Sequence, residues 1–369
     1  MRQDKSAAGR NGPRAPKLLF FFPLGRIRGS LERKLMRTSL TRRSFIAGTA
    51  SAVSLALAPR RALATEIIKI GTLAPKASMW GQVYRVWEKA IEEKSGGRLK
   101  LEIYYNGIQG DEGTMVSKLK SGQLDAAALT SVGLGKVYRP ILALQIPGLF
   151  RSWEKLDNAR NALSAEFERG LLDAGFTLGG WGDVGVVRMM TQGLEIRVPE
   201  DLRGKKPLTW RDDPIGPALY QLIGSVNPVP LSAPEVLGAL GTGAINVVSA
   251  PALAAEQLQW TNKLTHIAAE GAVMAIGGMI FRTPRLEALP ADLLEVLKST
   301  GKVAGSALSA RIRNEDAAAF GRLKSKMTVV TLTEDEKKKW AVTLIDLGKR
   351  LAQGTFAPEL VKKLVEHAK

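Results

Sequence analysis

Apolar and polar positions in the first half of the chain follow the order strand, helix, strand, helix, strand. Residues 66–74 alternate like a strand, and Ser78 is placed to cap a helix whose apolar positions recur at helical spacing until Gly96. Two further strands and the helix between them are predicted at residues 99–105, 125–131 and 111–121. This order is typical of a parallel sheet with helices on its faces.

The second half repeats the alternation and adds one long helix. A helix is predicted over residues 153–171 and one or two strands over residues 176–187. The shorter elements that follow are predicted at residues 206–210, 214–223, 227–231, 232–240, 245–250 and 272–281. Residues 290–326 have a helical pattern, and a helix of that length is able to lie across two domains.

Strand and helix alternate on both sides of residue 186, with no low-complexity linker between the two halves. We therefore predict an α/β fold of two lobes that exchange strands. Lobe I is expected to contain residues 65–185 and 276–315, and lobe II residues 186–275 and 316–369. The chain beyond residue 64 is longer than one hydrophobic core usually spans, which also favours two lobes.

The positive charge of the chain is concentrated near its beginning. The formal net charge is +18, but residues 1–64 hold 14 basic and two acidic side chains and so carry most of it. The part after residue 64 is only mildly basic, which argues against nucleic acid as a partner.

Residues 1–64 are predicted to be a leader with a twin-arginine signal peptide. Arg42 and Arg43 precede an uncharged apolar run, residues 45–58, that is shorter than the roughly 20 residues needed to span a bilayer. The run is followed by an Ala-Leu-Ala sequence ending at Ala64, the small-residue pattern of a signal cleavage site. We expect translation to start at Met36, residues 1–35 to be untranslated, and the mature chain to be periplasmic.

Few residues are available for catalysis or for metal binding. The absence of cysteine excludes disulfides, thiolate zinc sites and a cysteine nucleophile, and the two histidines, His266 and His367, are far apart in sequence. Neither a P-loop nor a Gly-x-Ser-x-Gly elbow is present. Asp212 and Asp213 are adjacent, but a lone acid pair is weak evidence for acid–base chemistry. We expect no enzymatic activity and no cofactor.

Aromatic residues at the ends of predicted elements indicate a ligand cleft. Trp80 begins a helix after a strand, Trp210 ends a strand, and Trp260 follows a glutamine-rich turn. Ligands of α/β folds bind at such strand and helix ends. Arg188 ends an apolar run and is placed to bind a carboxylate, although a surface arginine beside the cleft fits the same pattern.

Several segments together resemble the extracytoplasmic solute receptors of TRAP transporters, the DctP-type family, over nearly the whole mature chain. The segments are KIGTLAPKASMWGQ, KSGGRLKLEIYYNGIQGDEGTMVSKLKSGQLDAAALTS, ALQIPGLF, PEDLRGKK and NPVPLSAPEVLGALGTGAINVV. The resemblance implies a periplasmic-binding-protein-like clamshell with crossing hinge strands and a long helix spanning both lobes. It also implies delivery of the ligand to the subunits of a membrane permease.

Two departures from the family pattern concern the ligand. Family members usually carry a carboxylate-binding arginine four residues after the glycine of the D-L-x-G turn. Counted from Gly204, this chain has Leu208 there, or Thr209 if the gap shifts by one residue. The family's later D-G-x-E-N-P segment is here replaced by residues 246–251, which include Ala250. The segment around Trp210 is similar to a divergent subgroup that works beside a periplasmic tetratricopeptide-repeat protein and looks suited to hydrophobic ligands. Arg188 matches a second arginine position of the ordinary family.

These observations predict a solute-binding receptor for a small organic acid or an amphiphilic or hydrophobic ligand. The alternative is a periplasmic carrier of hydrophobes or lipids that works with a tetratricopeptide-repeat partner. The predicted ligand-binding residues are Trp80, Arg188, Leu208, Trp210, Asp213, Leu231, Ala250 and Trp260.

Overall fold

The computed structural model describes residues 65–368, so the predicted leader and its cleavage site at Ala64 lie outside the described residues. The strands are β1 (Glu66–Thr72), β2 (Leu99–Tyr104), β3 (Ala126–Thr130), β4 (Phe176–Thr191), β5 (Leu208–Trp210), β6 (Val229–Leu231), β7 (Val247–Pro251), β8 (His266–Ala268), β9 (Val273–Arg282) and β10 (Thr328–Val330). The helices are α1 (Met79–Lys94), α2 (Glu112–Ser121), α3 (Ser131–Val137), α4 (Trp153–Ala162), α5 (Ser164–Asp173), α6 (Ile215–Ile223), α7 (Val236–Thr242), α8 (Ala252–Gln257), α9 (Thr283–Glu287), α10 (Ala291–Lys324), α11 (Glu334–Gly354) and α12 (Pro358–Ala368).

Most strands join one eight-stranded mixed sheet. Its order is β10-β8-β4-β9-β3-β1-β2, and β7 pairs with β4 beside this path. β1 runs parallel to β2 and β3, whereas β9 runs antiparallel to both β3 and β4. β5 and β6 form a separate two-stranded parallel sheet. The predicted parallel sheet is therefore present at one end, and antiparallel strands extend it.

The long strands β4 and β9 and the long helix α10 tie the fold together. β4 pairs with β9 over nearly the whole length of β9, with register shifts near Gly180 and Gly185. Gly185 has a φ of 133°, and a Cβ there would lie 2.6 Å from the Asp316 carboxyl carbon on α10, so only glycine fits this approach. Crossing strands and a long helix are what the resemblance implies, and the α/β fold matches the two-lobed clamshell. The bounds of the two lobes stay a prediction.

Helix starts follow the local signals in the sequence. The Ser78 hydroxyl accepts a hydrogen bond from the backbone N–H of Gly81 at 3.2 Å and so caps α1. The Asp111 carboxylate accepts one from the N–H of Thr114 at 2.9 Å and caps α2. α10 extends over 34 residues, close to the predicted 290–326. No helix within residues 65–368 is long and apolar enough to cross a membrane.

Some predicted elements differ in the structure. The single helix expected over residues 153–171 is two helices, α4 and α5, because Leu163 between them has φ −104° and ψ 5°, outside the helical range. The sequence pattern also gave no indication of α3, which begins directly after β3.

Candidate ligand-binding cavity

A cavity of about 590 Å³ lies where β4, β9 and the small β5–β6 sheet meet the beginning of α1. Residues from strand ends and helix starts form much of its wall, as expected for ligand sites in α/β folds. The predicted ligand-binding residues that line it are Trp80, Leu208, Trp210, Asp213, Leu231, Ala250 and Trp260. The structure thus brings seven of the eight predicted residues together, and their role in binding stays a prediction.

Two tryptophans and the small parallel sheet build the apolar side of the cavity. The rings of Trp210 and Trp260 are 6.1 Å apart between centroids and tilted by 35°. Trp260 is buried at 2% exposure, whereas Trp210 is only partly buried. The β5–β6 register places Leu231 opposite Trp210, which brings both into the same wall.

Trp80 closes another side of the cavity. It lies in the first turn of α1, and its indole Nε1–H donates a hydrogen bond to the backbone oxygen of Asp183 on β4 at 3.4 Å. This bond satisfies the polar atom of the ring while its carbon atoms remain available to the cavity.

Arg188 is the predicted ligand-binding residue that does not line the cavity. Its neighbours on β4, Val187 and Met189, line the cavity, but Arg188 does not. The guanidinium lies 3.8 Å from the ring centroid of Phe320 on α10, and its Nη1 donates to the backbone oxygen of Ala269 at 2.8 Å. Successive side chains of a strand point to opposite faces, so Arg188 packs against α10 while its neighbours face the cavity.

Two of the three basic side chains that border the cavity within residues 65–368 form ion pairs with acids. The Lys136 ammonium is 2.8 Å from Asp212 Oδ2. The Arg211 guanidinium is 3.0 Å from Asp111 Oδ2 and 3.0 Å from Glu235 Oε2. A third basic residue, Lys298, lies exposed on α10. The two paired cations are therefore committed to protein carboxylates.

Carboxylates without a cationic partner form part of the wall. Asp213 Oδ1 accepts a hydrogen bond from Ile215 N–H at 2.9 Å and Oδ2 accepts one from Gly216 N–H at 3.1 Å. Burial raises the pKa of Asp213 above its usual value. Glu112 accepts from the hydroxyl of Thr130 at 2.8 Å, and burial likewise raises its pKa. The cavity wall thus contains two carboxylates, Asp213 and Glu112, for which no ion pair is found within residues 65–368.

Four charged residues form an ion-pair cluster at the edge of the cavity, which we call the Asp183 cluster: Asp157, Arg160, Asp183 and Arg313. Asp183 Oδ1 is 2.9 Å from Arg160 Nη1, and its Oδ2 is 2.6 Å from Arg313 Nε. Asp157 Oδ1 is 2.7 Å from both arginines. Of the four, Asp183 lines the cavity.

Sequence reasoning missed the Asp183 cluster and the partly buried Glu112. The signal that was available is an acid within an apolar strand, Asp183, together with an acid and an arginine three positions apart on one helix, Asp157 and Arg160. In the described part of the chain, no group of three or more histidine, aspartate or glutamate side chains is arranged to hold a metal ion.

Comparison with known proteins agrees with this architecture. A family model described as bacterial extracellular solute-binding protein, family 7 (DctP), matches residues 70–353. A solute-binding protein of Verminephrobacter eiseniae is 24% identical over 73% of this chain and 80% of its own length. The 2,3-diketo-L-gulonate-binding periplasmic protein YiaO of Escherichia coli is 26% identical over 58% of this chain and 63% of its own.

Solved structures share the fold at low sequence identity. The sugar acid binding protein DctPAm of Advenella mimigardefordensis, in complex with galactonate, has a TM-score of 0.77 at 16% identity and covers 83% of this chain and 98% of its own. A TRAP periplasmic solute binding protein of Ralstonia eutropha with bound acetolactate has a TM-score of 0.76 at 20% identity, covering 82% and 98%. The chain belongs to the DctP family of bacterial extracellular solute-binding proteins, the family of the TRAP receptors that the sequence resembles.

Proposed function

We propose that this chain is the periplasmic receptor of a TRAP-type transporter and that its ligand is largely apolar. The observation that carries the proposal is the wall of the cavity, where Leu208, Trp210 and Trp260 lie together. Among residues 65–368 the one arginine that lines the cavity, Arg211, is paired with Asp111 and Glu235. The solved relatives named above hold galactonate and acetolactate, which are small organic acids. The low identity leaves the ligand of this chain to be argued from its own residues.

The physical argument compares the two kinds of contact. A charge-assisted hydrogen bond from an arginine to a carboxylate contributes about 1.5–3 kcal/mol, and neither Leu208 nor Thr209, the two candidates for the family's arginine position, supplies one. Burial of apolar surface contributes about 25 cal/mol per Å². A ligand that buries 200 Å² of hydrocarbon in this cavity therefore gains about 5 kcal/mol before the cost of association.

The remaining parts of the proposal concern export and delivery. Export through the predicted twin-arginine signal, with cleavage after Ala64, brings the mature chain to the periplasm. Membership of the DctP family favours delivery to a membrane permease. Transfer to a tetratricopeptide-repeat partner stays a prediction from the sequence around Trp210.

The experiment that tests the proposal measures which ligands the mature chain binds. N-phenyl-1-naphthylamine, a neutral apolar dye, is titrated into the protein and then displaced by ten-carbon compounds or by galactonate and succinate. We expect the ten-carbon compounds to displace the dye and the two hydrophilic acids to leave it bound. Displacement by galactonate or succinate alone would contradict an apolar ligand.

A pair of matched variants locates the bound dye. Leu231→Trp adds volume to the cavity wall and is expected to weaken dye binding at least tenfold. Val303→Trp makes a similar change on the exposed surface of α10, where Val303 is 69% exposed, and is expected to bind as the unaltered chain does. Equal binding by both variants would place the dye elsewhere on the protein.

A further inference from the structure

One corner of the cavity is polar, and its side chains pack so closely against Gly216 that no larger residue fits there. A Cβ added to Gly216 would lie 2.8 Å from the Thr209 hydroxyl oxygen and 3.2 Å from Asp213 Oδ2. The hydroxyl and the carboxylate therefore flank the same small space beside Gly216. All three residues line the cavity.

Both polar side chains of this corner retain unused hydrogen-bonding capacity. Thr209 is 6% exposed, and its buried hydroxyl has no hydrogen-bond partner within residues 65–368. Each oxygen of Asp213 accepts one backbone N–H, from Ile215 or Gly216, so each keeps a further lone pair. A buried hydroxyl without a partner destabilises the empty protein, and a ligand group that bonds to it removes that cost.

The charge of the corner opposes an acid. Among residues 65–368, no basic side chain is in ion-pair contact with Asp213. Its nearest basic neighbour in sequence, Arg211, pairs with Asp111 and Glu235. Lys136, the other basic residue at this side of the cavity, pairs with Asp212. Burial raises the pKa of Asp213, which agrees with a carboxylate that lacks a cation. A ligand carboxylate here would meet a second carboxylate in a region shielded from water.

We propose that Thr209 and Asp213 bind the polar end of the ligand and that this end is a hydrogen-bond donor, a hydroxyl or an ammonium group. The inference rests on the proposed function, since the apolar remainder of the ligand occupies the cavity described above. A hydroxyl donates to Asp213 and accepts from Thr209, so both groups are satisfied. An ammonium donates to both and also offsets the charge of the carboxylate.

The test compares three ligands that share one chain length and differ at the head. 1-Decanol, decylammonium and decanoate each displace N-phenyl-1-naphthylamine from the mature chain at pH 8, where the amine is charged and the acid is ionised. We expect the alcohol and the ammonium compound each to bind at least tenfold more tightly than decanoate. Equal affinities, or tighter binding of decanoate, would overturn the inference.

Two variants test whether Thr209 and Asp213 cause the preference for a hydrogen-bond donor at the head of the ligand. Asp213→Asn keeps a side chain that caps helices well but removes the charge, and is expected to weaken decylammonium at least tenfold and to strengthen decanoate. Thr209→Val keeps the shape but removes the hydroxyl, and is expected to weaken 1-decanol severalfold while the melting temperature stays the same or rises. A purely structural role for Thr209 would lower the melting temperature and leave the ranking of the three ligands unchanged.

A control variant and two possible negative results distinguish failure of this inference from failure of the proposed function. Asp346→Asn removes an exposed carboxylate that pairs with Lys349, far from the corner in sequence, and is expected to leave the ranking unchanged. If folded Asp213→Asn ranks the three ten-carbon ligands as the unaltered chain does, the inference is wrong, but the proposal of an apolar ligand is unaffected. If neither the dye nor any ten-carbon compound binds, the proposed apolar ligand fails and the inference fails with it.

Discussion

Two neighbouring regions of the molecule treat charge in opposite ways. In the Asp183 cluster, two carboxylates and two guanidiniums are joined by ion pairs whose N–O distances are below 3 Å, and the Asp183 side chain has no exposed surface. On the apolar side of the cavity, Leu208, Trp210 and Trp260 present hydrocarbon and aromatic surface. β4 contributes to both regions, because Asp183 and Met189 both lie on it.

This difference shows that arginines near the cavity form ion pairs within the protein. Arg160 and Arg313 are held by Asp183 and Asp157, and the rings of Trp181 and Trp153 lie 5.7 and 4.4 Å from their guanidinium carbons. Although burial alone would raise it, Arg313 and Arg160 hold the pKa of Asp157 below its usual value. These arginines stabilise the protein and are not free to bind a ligand acid.

The largest effect is expected from breaking the Asp183 cluster. Asp183→Asn leaves the buried guanidinium of Arg160 and the partly buried one of Arg313 facing a neutral amide, and we expect the free energy of unfolding to fall by about 3 kcal/mol. Urea unfolding followed by circular dichroism measures this change. The ranking of ligands should stay as in the unaltered chain, because the substitution removes no contact of the polar corner.

The control for this variant is an exposed pair. Lys349 pairs with Asp346 at the surface, and Asp346→Asn is expected to change the free energy of unfolding by less than about 1 kcal/mol. If Asp183→Asn unfolds no more easily than Asp346→Asn, the Asp183 cluster contributes little to stability, and the contrast between the two regions fails.

A smaller effect is expected from giving the cavity wall the charge it lacks. Leu208→Arg places a guanidinium at a position that is 4% exposed, and we expect binding of the apolar dye to weaken at least tenfold while succinate begins to bind. Dye titration and calorimetry with succinate measure the two changes. Leu208→Met conserves volume without charge and should bind the dye nearly as the unaltered chain does. Equal dye binding by the arginine variant would show that the ligand does not contact this strand.

The sequence predicts much of this molecule because the decisive signals are local. Ser78 and Asp111 cap their helices through groups three residues away, and the strand ends that hold Trp210 and Leu231 follow from short alternating runs. The seven residues that meet at the cavity lie at such ends, so their shared location follows from the rules of α/β folds.

The remainder depends on partners far apart in the chain. Asp157 and Arg313 are 156 residues apart, and no pattern within a single segment pairs them. The face that Arg188 takes depends on which helix covers β4 at that point, and the nearest helix, α10, begins about 100 residues later in the chain. A period of two along a strand separates its faces but does not say which face meets the ligand.

The smallest effect is expected from replacing Arg188. This variant tests whether Arg188 stabilises the fold, as the arginines of the Asp183 cluster do, or binds the ligand in the cavity. Arg188→Met retains an unbranched side chain against Phe320 but removes the hydrogen bond to Ala269 and the positive charge near Asp316. We expect the free energy of unfolding to fall by about 1–2 kcal/mol and dye and decanoate affinities to change less than twofold.

Urea unfolding and dye displacement on the same samples separate stability from binding, and Arg188→Lys serves as the variant that keeps the charge. Because the guanidinium packs against α10 and not in the cavity, the charge should matter for folding alone. If Arg188→Met instead lost decanoate binding tenfold with its stability unchanged, Arg188 would reach the ligand. The cavity would then hold the acid-binding cation that the sequence predicts, and the donor head group inferred for the ligand would lose its support.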